Sequence, residues 1–332
     1  MRHRMVWTAC IAACAALAIT REPAALADPP SEQPPSGRLV AELKHGDRVN
    51  SVAFSPDGKW ILTGCGDGAA HLFERETAKE VRTYKGHSSM VSSAAFSADG
   101  AWVLTASWDY SARLFDRETA AEARKYEGHS EKAYAAAISA DGKWILTGSQ
   151  DKTARVFDRE TGKEVRKFET PSGSIEVVAF SPDGKWVLAG WEGRTLRLFD
   201  RETGQEVQKY EGLSNPPRSV AFSSDGKWIL VASLERAARL FDRESGNEIQ
   251  KYEADPASVG LWSVAISSDD RWVITGGDDG TARLFDRESG KEVRRYEGHK
   301  AGIHGVTISP DGKWVLTGSR DKTARLFALA GE

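Results

Sequence analysis

The sequence predicts an all-β protein, a seven-bladed β-propeller of four-stranded antiparallel blades, and three observations carry this prediction. First, tryptophans recur at steps of 42 residues, with one step of 44, at Trp60, Trp102, Trp144, Trp186, Trp228, Trp272 and Trp314. Second, every repeat holds four short strand-like segments. Third, the last repeat lacks one segment, and the N-terminal part of the chain supplies it. A repeat of roughly 40–45 residues with several short strands is typical of a propeller blade.

Four strands, named A to D, fit each repeat, as the one around Trp186 shows. Strand A ends at Phe180, a Ser-Pro-Asp-Gly turn follows, and strand B begins at Trp186. Strand C ends at Phe199, and after an Asp-Arg-Glu-Thr-Gly turn strand D alternates charged and apolar residues up to Tyr210. Strands A to C are apolar on both faces and need cover from neighbouring blades. The charges of strand D suit the outer edge of a blade, where they discourage pairing with another molecule.

The two ends of the array complement each other. The last repeat stops after its strand C, at residues 323–327, so its strand D is missing. Residues 37–44 match the strand D segment at residues 162–169. We therefore predict that the segment Val40–Leu43 pairs with the strand around Arg325–Phe327. This pairing would complete the seventh blade and close the ring.

Short motifs within the repeats point to a family. Gly-His pairs end at His87, His129 and His299, and a Phe-Asp pair follows strand C in most repeats. On these motifs, residues 37–332 resemble the WD-repeat family of β-propellers, which has a Gly-His and a Trp-Asp pair at these places. The resemblance implies one hydrogen-bonded set of His, strand-B Ser and turn Asp per typical blade. The implied sets are His87, Ser107 and Asp109; His129, Ser149 and Asp151; and His299, Ser319 and Asp321. Because Phe replaces the family's Trp, each set is expected to lack one hydrogen-bond donor.

Four blades depart from the family's pattern. The first has His45 and Asp67 but carries Cys65 in the Ser column. In blades four to six the His position is taken by Pro171, Leu213 and the region of Asp255, and Gly193 and Glu235 replace Asp in blades four and five. We expect these blades to depend more on packing than on the network.

The residues before the propeller indicate export. A basic start, an apolar run and an Ala-Leu-Ala sequence predict a signal peptide over residues 1–27, followed by a Pro-rich spacer over 28–36. The apolar run is too short for a bilayer span. The expected location is the bacterial periplasm or the exterior of the cell. A competing interpretation takes Cys14 as the lipidated cysteine of a lipoprotein. After cleavage only Cys65 would remain, so no disulfide is expected, and we predict that Cys65 is a buried strand residue.

Composition excludes several classes of function. The net charge is −3 and charged residues are interleaved rather than clustered, which argues against a nucleic-acid surface. No metal signature, nucleophile elbow or phosphate-binding loop is present, so we predict no cofactor, no metal and no catalytic residues. The expected state is a monomeric propeller without a membrane span.

The seven copies differ from one another at one end of the predicted propeller. The sequences of the A–B and C–D turns repeat almost unchanged. Three sets of equivalent positions near the B–C and D–A connections, which we call columns, differ from repeat to repeat. Ten residues before each anchor Trp stand Asn50, Ser92, Tyr134, Glu176, Arg218, Trp262 and His304. Six residues after it stand Gly66, Trp108, Gln150, Glu192, Leu234, Asp278 and Arg320. Two residues before the first column stand Arg48, Met90, Lys132, Ser174, Pro216, Gly260 and Gly302.

These columns should open on one face around the central channel, and aromatic rings beside Arg and Glu are typical of interaction hot spots. We therefore predict a non-enzymatic scaffold that binds a protein or peptide on the B–C/D–A face. The candidate binding residues are Trp108, Tyr134, Trp262, Arg218, Glu176, Glu192, Arg320 and His304. Two alternatives remain open. One is a hydrolase- or lactonase-like enzyme at the channel mouth that uses Glu176, Glu192, Asp278, His304 and Arg218. The other is a carbohydrate- or small-ligand-binding propeller whose aromatic rings stack on the ligand.

Overall fold

The computed structural model describes residues 34–170, 173–253 and 260–329. Within these ranges the chain forms strands and no α-helix, and the strands make seven antiparallel sheets of four strands each. The prediction of an all-β, seven-bladed propeller is confirmed. Pro171 and Asp255 lie outside the described residues, as do the predicted signal peptide and most of the predicted spacer. The described ranges contain no helix that could cross a bilayer.

The strands follow one another as the repeat predicts. The chain begins with β1 (Leu39–Lys44), and blade one then holds β2 (Val49–Phe54), β3 (Trp60–Cys65), β4 (Ala70–Glu74) and β5 (Glu80–Tyr84). Blade two holds β6 (Val91–Phe96), β7 (Trp102–Ser107), β8 (Ala112–Asp116) and β9 (Glu122–Tyr126). Blade three holds β10 (Ala133–Ile138), β11 (Trp144–Ser149), β12 (Thr153–Asp158) and β13 (Glu164–Glu169). Blade four holds β14 (Ile175–Phe180), β15 (Trp186–Trp191), β16 (Thr195–Asp200) and β17 (Glu206–Tyr210).

The remaining blades continue the series. Blade five holds β18 (Pro217–Phe222), β19 (Trp228–Ser233), β20 (Ala237–Asp242) and β21 (Glu248–Glu253). Blade six holds β22 (Leu261–Ile266), β23 (Trp272–Gly277), β24 (Ala282–Asp286) and β25 (Glu292–Tyr296). Blade seven holds β26 (Ile303–Ile308), β27 (Trp314–Ser319) and β28 (Thr323–Ala328), and its fourth strand is β1.

The N-terminal strand closes the ring, as predicted. β1 pairs with β28 in antiparallel register, with Glu42 opposite Arg325 and Leu43 opposite Ala324. Leu43 is buried in the core that blade seven shares with blade one, whereas Val40 on the same strand is exposed. The residues just before β1 contact blade six, because Pro35 and Gly37 exchange backbone hydrogen bonds with Arg295. The last residues assigned to the spacer therefore pack against the propeller.

The core lies between the blades. The innermost strands β2, β6, β10, β14, β18, β22 and β26 each contact the next, and β2 contacts β26 across the closure. Each second strand is buried along almost its whole length, because it is covered by a blade on either side. The outermost strands are exposed except for a buried Tyr or Phe, or Leu43 in β1.

Two repeated contacts join neighbouring blades. The hydroxyl of Tyr126 donates to the carbonyl of Arg159 at 3.0 Å, and that arginine lies over the ring of Trp102, 5.3 Å from its centroid. The same arrangement recurs around most of the ring, with Tyr hydroxyls bound to the carbonyls of Arg117, Arg243 and Arg287. In blade seven the chain leaves the repeat after β28, and Tyr296 donates to Leu329 instead. The anchor tryptophans thus lie at blade boundaries.

Candidate functional site

One irregularity repeats in every blade and positions the first variable column. The pairing between the first and second strand of each blade skips one residue, as between Ala133 and Ala135 in blade three. The skipped residues are Asn50, Ser92, Tyr134, Glu176, Arg218, Trp262 and His304. A β-bulge leaves one residue out of the ladder and redirects its side chain. The seven side chains of the first column are therefore the seven bulge residues.

The other two columns are bonded to each other. The N–H of Trp108 donates to the carbonyl of Met90 at 3.1 Å, and the N–H of Arg320 donates to that of Gly302 at 3.0 Å. Equivalent bonds join Gly66 to Arg48, Gln150 to Lys132, Glu192 to Ser174 and Asp278 to Gly260. In blade five, Pro216 and Leu234 do not make this bond. In six blades the second and third columns thus lie side by side, directly beyond the bulge.

The three columns converge on a cavity of about 320 Å³ at the channel mouth. We call it the channel-mouth cavity, and it is lined by Arg48, Asn50, Met90, Ser92, Trp108, Tyr134, Glu176, Arg218, Trp262, His304 and Arg320. Below it, the innermost strands of all seven blades line the channel. Seven of the eight candidate binding residues line the channel-mouth cavity. Glu192 does not, since it is exposed at the same end with its carboxylate 3.4 Å from the backbone nitrogen of Ser174.

Trp262 is the best-anchored ring of the cavity. His304 stacks on it with a centroid distance of 4.4 Å and an interplanar angle of 17°. The guanidinium groups of Arg320 and Arg218 lie 4.9 Å and 5.3 Å from its centroid. Its indole N–H donates to Asp278 at 3.1 Å. The ring is therefore fixed by stacking and by a hydrogen bond, so it is a rigid part of the wall.

Trp108 and Tyr134 form a second aromatic corner. Their rings meet edge to face, 6.0 Å apart at 85°. Lys132 and Arg48 lie over Trp108, at 4.0 Å and 5.8 Å from its centroid. We expected exposed aromatics here, but all three candidate rings are half-buried in the cavity wall, because cationic and aromatic neighbours cover one side of each. Tyr110, in the turn after Trp108, is the exposed ring of this region.

The cavity carries more positive than negative charge. Its lining holds three arginines and one carboxylate, Glu176, which forms an ion pair with Arg218. Burial raises the pKa of Glu176, and the Arg218 charge works against that shift. Burial and the charges of Arg320, Arg48 and Arg218 lower the pKa of His304 to about 3. At neutral pH His304 is therefore uncharged, and its buried Nε2 has no hydrogen-bond partner among the described residues.

The residues of the enzyme alternative do not assemble into an acid–base pair. Within the described ranges no carboxylate hydrogen-bonds to His304, Asp278 accepts from Trp262, and Glu192 lies outside the lining. General acid–base catalysis is most efficient when the pKa of the positioned group lies near the working pH. The pKa of His304 lies far below neutral pH, whereas burial raises that of Glu176.

Three histidines belong to buried networks rather than to the cavity. His129 Nδ1 lies 2.8 Å from Asp151 Oδ2, and its Nε2 lies 2.7 Å from Thr147 Oγ1. Blade two repeats this with His87, Asp109 and Thr105, and blade seven with His299, Asp321 and Thr317. The strand-B hydroxyl that meets each His ring is thus the Thr two residues before the expected Ser. Ser107, Ser149 and Ser319 instead accept from the backbone N–H of the Asp, and so position it.

Blade one arranges the same positions differently. His45 bonds to Thr63 but not to Asp67, and Asp67 pairs with His71, 3.0 Å away. His71 also contacts Glu80 at 3.0 Å. Although burial opposes protonation, hydrogen bonds to Cys65 and Glu80 and the charges of Asp67 and Glu80 raise the pKa of His71 to about 9. A charged His71 thus makes the two ion pairs that the strand-C arginine makes in blades two and three.

Potential metal ligands meet at this place in blade one. Cys65, Asp67 and His71 hold their ligand atoms within 4.8 Å of one another, the one such group in the described ranges. Both ring nitrogens of His71 already contact carboxylates, and Cys65 is buried and free of disulfides, as predicted.

Blade five lacks the His–Asp network. Leu213 is buried where other blades have His. Glu235 accepts from the backbone nitrogen of Ser214 and pairs with Arg239 at 2.7 Å, so it stabilises the turn without a histidine.

A closed ring of seven four-stranded blades with one variable, cavity-forming end defines a β-propeller interaction scaffold. Two family models match the sequence: the IFT122 first beta-propeller over residues 33–284, and the WD domain, G-beta repeat, over residues 290–327. The chain therefore belongs to the IFT122-type first-propeller family of WD-repeat proteins. No curated protein matches it significantly.

Proposed function

We propose that the protein is an exported, non-enzymatic WD-repeat scaffold that binds a protein or peptide in the channel-mouth cavity. One observation carries the proposal. Every blade contributes a bulge residue at the channel mouth, and the seven bulge residues are seven different side chains on a nearly invariant frame. Neutral drift at exposed loop positions would explain why these side chains differ between blades. It would not explain two half-buried groups of aromatic rings with cationic side chains lying over them.

The cavity has the chemistry of a peptide site. Rigid tryptophans supply large contact area at small entropic cost, and arginines supply directional donors. Trp108, Tyr134 and Trp262 are the anchors in this proposal. Arg218, Glu176, Arg320 and His304 would set specificity from the lining, and Glu192 would contact the ligand from the rim. The carbohydrate alternative uses the same rings, so the binding experiment must include sugars.

Removing an anchor ring is expected to weaken binding strongly. Affinity capture with the protein against envelope extract would supply the partner. Trp108→Ala and Trp262→Ala should each cost about 2 kcal/mol or more of binding free energy, about thirtyfold in affinity, because both rings lie in the cavity wall. Isothermal titration calorimetry measures the change, and circular dichroism checks folding.

Two control variants separate the cavity from the rest of the surface. Tyr110→Ala removes an exposed ring at the same end of the propeller, and Arg166→Ala changes the outer strand β13. Both should bind like wild type. If the tryptophan variants bind normally while Arg166→Ala weakens binding, the site lies on the outer strands. Capture of an oligosaccharide in place of a protein would favour the carbohydrate alternative.

Export is the second part of the proposal. The basic start, apolar run and Ala-Leu-Ala sequence support cleavage after Ala27, which predicts a mature chain that begins at Asp28. Mass spectrometry of the native protein measures this terminus. A lipid-modified chain beginning at Cys14 would support the lipoprotein interpretation instead, and an intact Met1 in the cytoplasmic fraction would contradict export.

A further inference from the structure

We propose that the channel-mouth cavity selects peptides that carry a carboxylate, and that Arg48 and Arg320 bind this group. The inference rests on the proposed peptide-binding function and specifies its ligand. The carboxylate could come from an Asp or Glu side chain or from the C-terminus of the peptide. The chemistry is the same in both cases, and the experiment below separates them.

Arg48 and Arg320 differ from the strand-C arginines of the blades. The strand-C arginines are matched by carboxylates, as Arg155 is by Glu164 at 2.8 Å and Arg239 by Glu248 at 2.7 Å. Within the described ranges Arg48 and Arg320 form no ion pair. Among the described side chains, Arg48 hydrogen-bonds only to the sulfur of Met90, at 3.3 Å, and lies over the ring of Trp108. Two cations in one cavity therefore lack counter-charges.

The carboxylates nearby are already engaged. Glu176 pairs with Arg218, and Asp278 accepts the indole N–H of Trp262. Neither Asp278 nor Glu192 belongs to the lining. The lining thus has a surplus of positive charge that a ligand anion can neutralise.

Arg320 lies over the ring of Trp262 and has no ion-pair partner among the described residues, so its N–H donors can bind an anion. A guanidinium that lies over a ring uses its face, while its five N–H donors point outward in its own plane. A carboxylate accepts two such donors side by side, which is a strong and directional contact. The half-buried aromatic walls lower the local dielectric constant and strengthen this contact.

His304 adds a neutral polar group to the same place. Its Nε2 is buried without a partner, although buried polar atoms are normally hydrogen-bonded. Stacked on Trp262, it can donate one hydrogen bond to a ligand or accept one from it without adding charge. The Met90 thioether and the ring of Trp108 offer apolar surface for the methylene groups of an acidic side chain.

Two synthetic octapeptide libraries test the proposal on the full chain. Both are N-acetylated and randomised, one with an amidated C-terminus and one with a free carboxylate. Retained peptides are sequenced, and the affinities of the best ones are measured by calorimetry at low and high salt. The same peptides are titrated into Arg48→Gln, Arg320→Gln and Arg236→Gln. Arg236 is exposed in the B–C connection of blade five and does not line the cavity, so its variant is the charge-matched control.

We expect enrichment of Asp or Glu in the amidated library if the side chain is bound, or retention only from the free-acid library if the C-terminus is bound. Arg48→Gln and Arg320→Gln should each weaken binding roughly tenfold to a hundredfold, and Arg236→Gln should not. Retained peptides without a carboxylate that depend on Trp108 and Trp262 would overturn this inference but keep the proposed function. Retention no greater than that of a Trp108→Ala/Trp262→Ala variant would overturn both.

Discussion

Removing the N-terminal strand is expected to unfold or aggregate the protein. A deletion of residues 28–45 takes away β1, and with it the partner of β28 and the buried Leu43. The open edge of β28 would present unpaired backbone groups to other molecules. Thermal melting and size-exclusion chromatography measure the outcome. A deletion variant that melts like the parent would show that the ring does not depend on this strand.

Two matched substitutions refine this test. Leu43→Ala should lower the free energy of unfolding by about 2–5 kcal/mol, since Leu43 is 2% exposed and a cavity would remain. Val40→Ala on the same strand should change it by less than about 0.5 kcal/mol, since Val40 is 44% exposed. A deletion of residues 28–33, which keeps β1 and Pro35, is the control and should melt like the parent. A deletion that reached residue 36, the predicted end of the spacer, would also remove the Pro35 carbonyl that Arg295 binds.

Replacing Asp151 by Asn is expected to have the second-largest effect on stability. The carboxylate is 5% exposed, and its Oδ2 accepts from His129 Nδ1 at 2.8 Å and from the backbone of Ser130 at 3.2 Å. Its Oδ1 accepts from the N–H and hydroxyl of Thr153. Donors therefore surround both oxygens, so in either orientation the amide NH₂ of Asn would face another donor. We expect a loss of about 3 kcal/mol in the free energy of unfolding, as when a buried pair loses one partner.

The control and the pH dependence make this prediction specific. Glu160→Gln removes the same charge from an exposed turn of the same blade and should be nearly neutral. Burial acts to raise the pKa of Asp151, but the hydrogen bonds from His129 and Thr153 outweigh it and hold the pKa well below the usual 3.8. The carboxylate therefore stabilises the fold fully above about pH 4, and this contribution is lost as the pH falls below that value. Urea titrations at several pH values should show a gap in unfolding free energy between Asp151→Asn and wild type that narrows in acid, and no such gap for Glu160→Gln. A gap for Asp151→Asn that stays constant with pH would contradict the role given to the carboxylate.

The fold was predictable because seven copies repeat one pattern. Three local features of the sequence predicted it: the spacing of the anchor Trp residues, the strands that are apolar on both faces, and the missing last segment. A closed ring of blades accounts for all three. The cavity was predictable in part. Comparing the blades identified the columns that hold Trp108 and Trp262. Positions that vary between otherwise similar repeats can be found from the sequence without knowing where the side chains point.

Other features depend on geometry that the sequence does not display. The bulge at Tyr134 and its equivalents arises from strand register, and no turn residue marks it. The side chain that meets the ring of His129 is Thr147 and not Ser149. Both residues point to the same face of the strand, because they stand two positions apart, so the sequence does not show which of them the ring reaches. Arg48 was visible in the third column, but its lack of a counter-charge became evident only when the positions of the nearby carboxylates were known.

The recurring bulge gives the site an unusual freedom to evolve. Each of the seven residues lies outside the backbone ladder of its own blade, so its identity is decoupled from the hydrogen bonds that hold the sheet together. A substitution at one bulge can therefore change the ligand chemistry of the ring while the sheet keeps its backbone hydrogen bonds. Neighbouring bulge residues still contact each other, as Glu176 does Arg218 and Trp262 does His304, so new specificities are expected to arise through substitutions in pairs of adjacent blades.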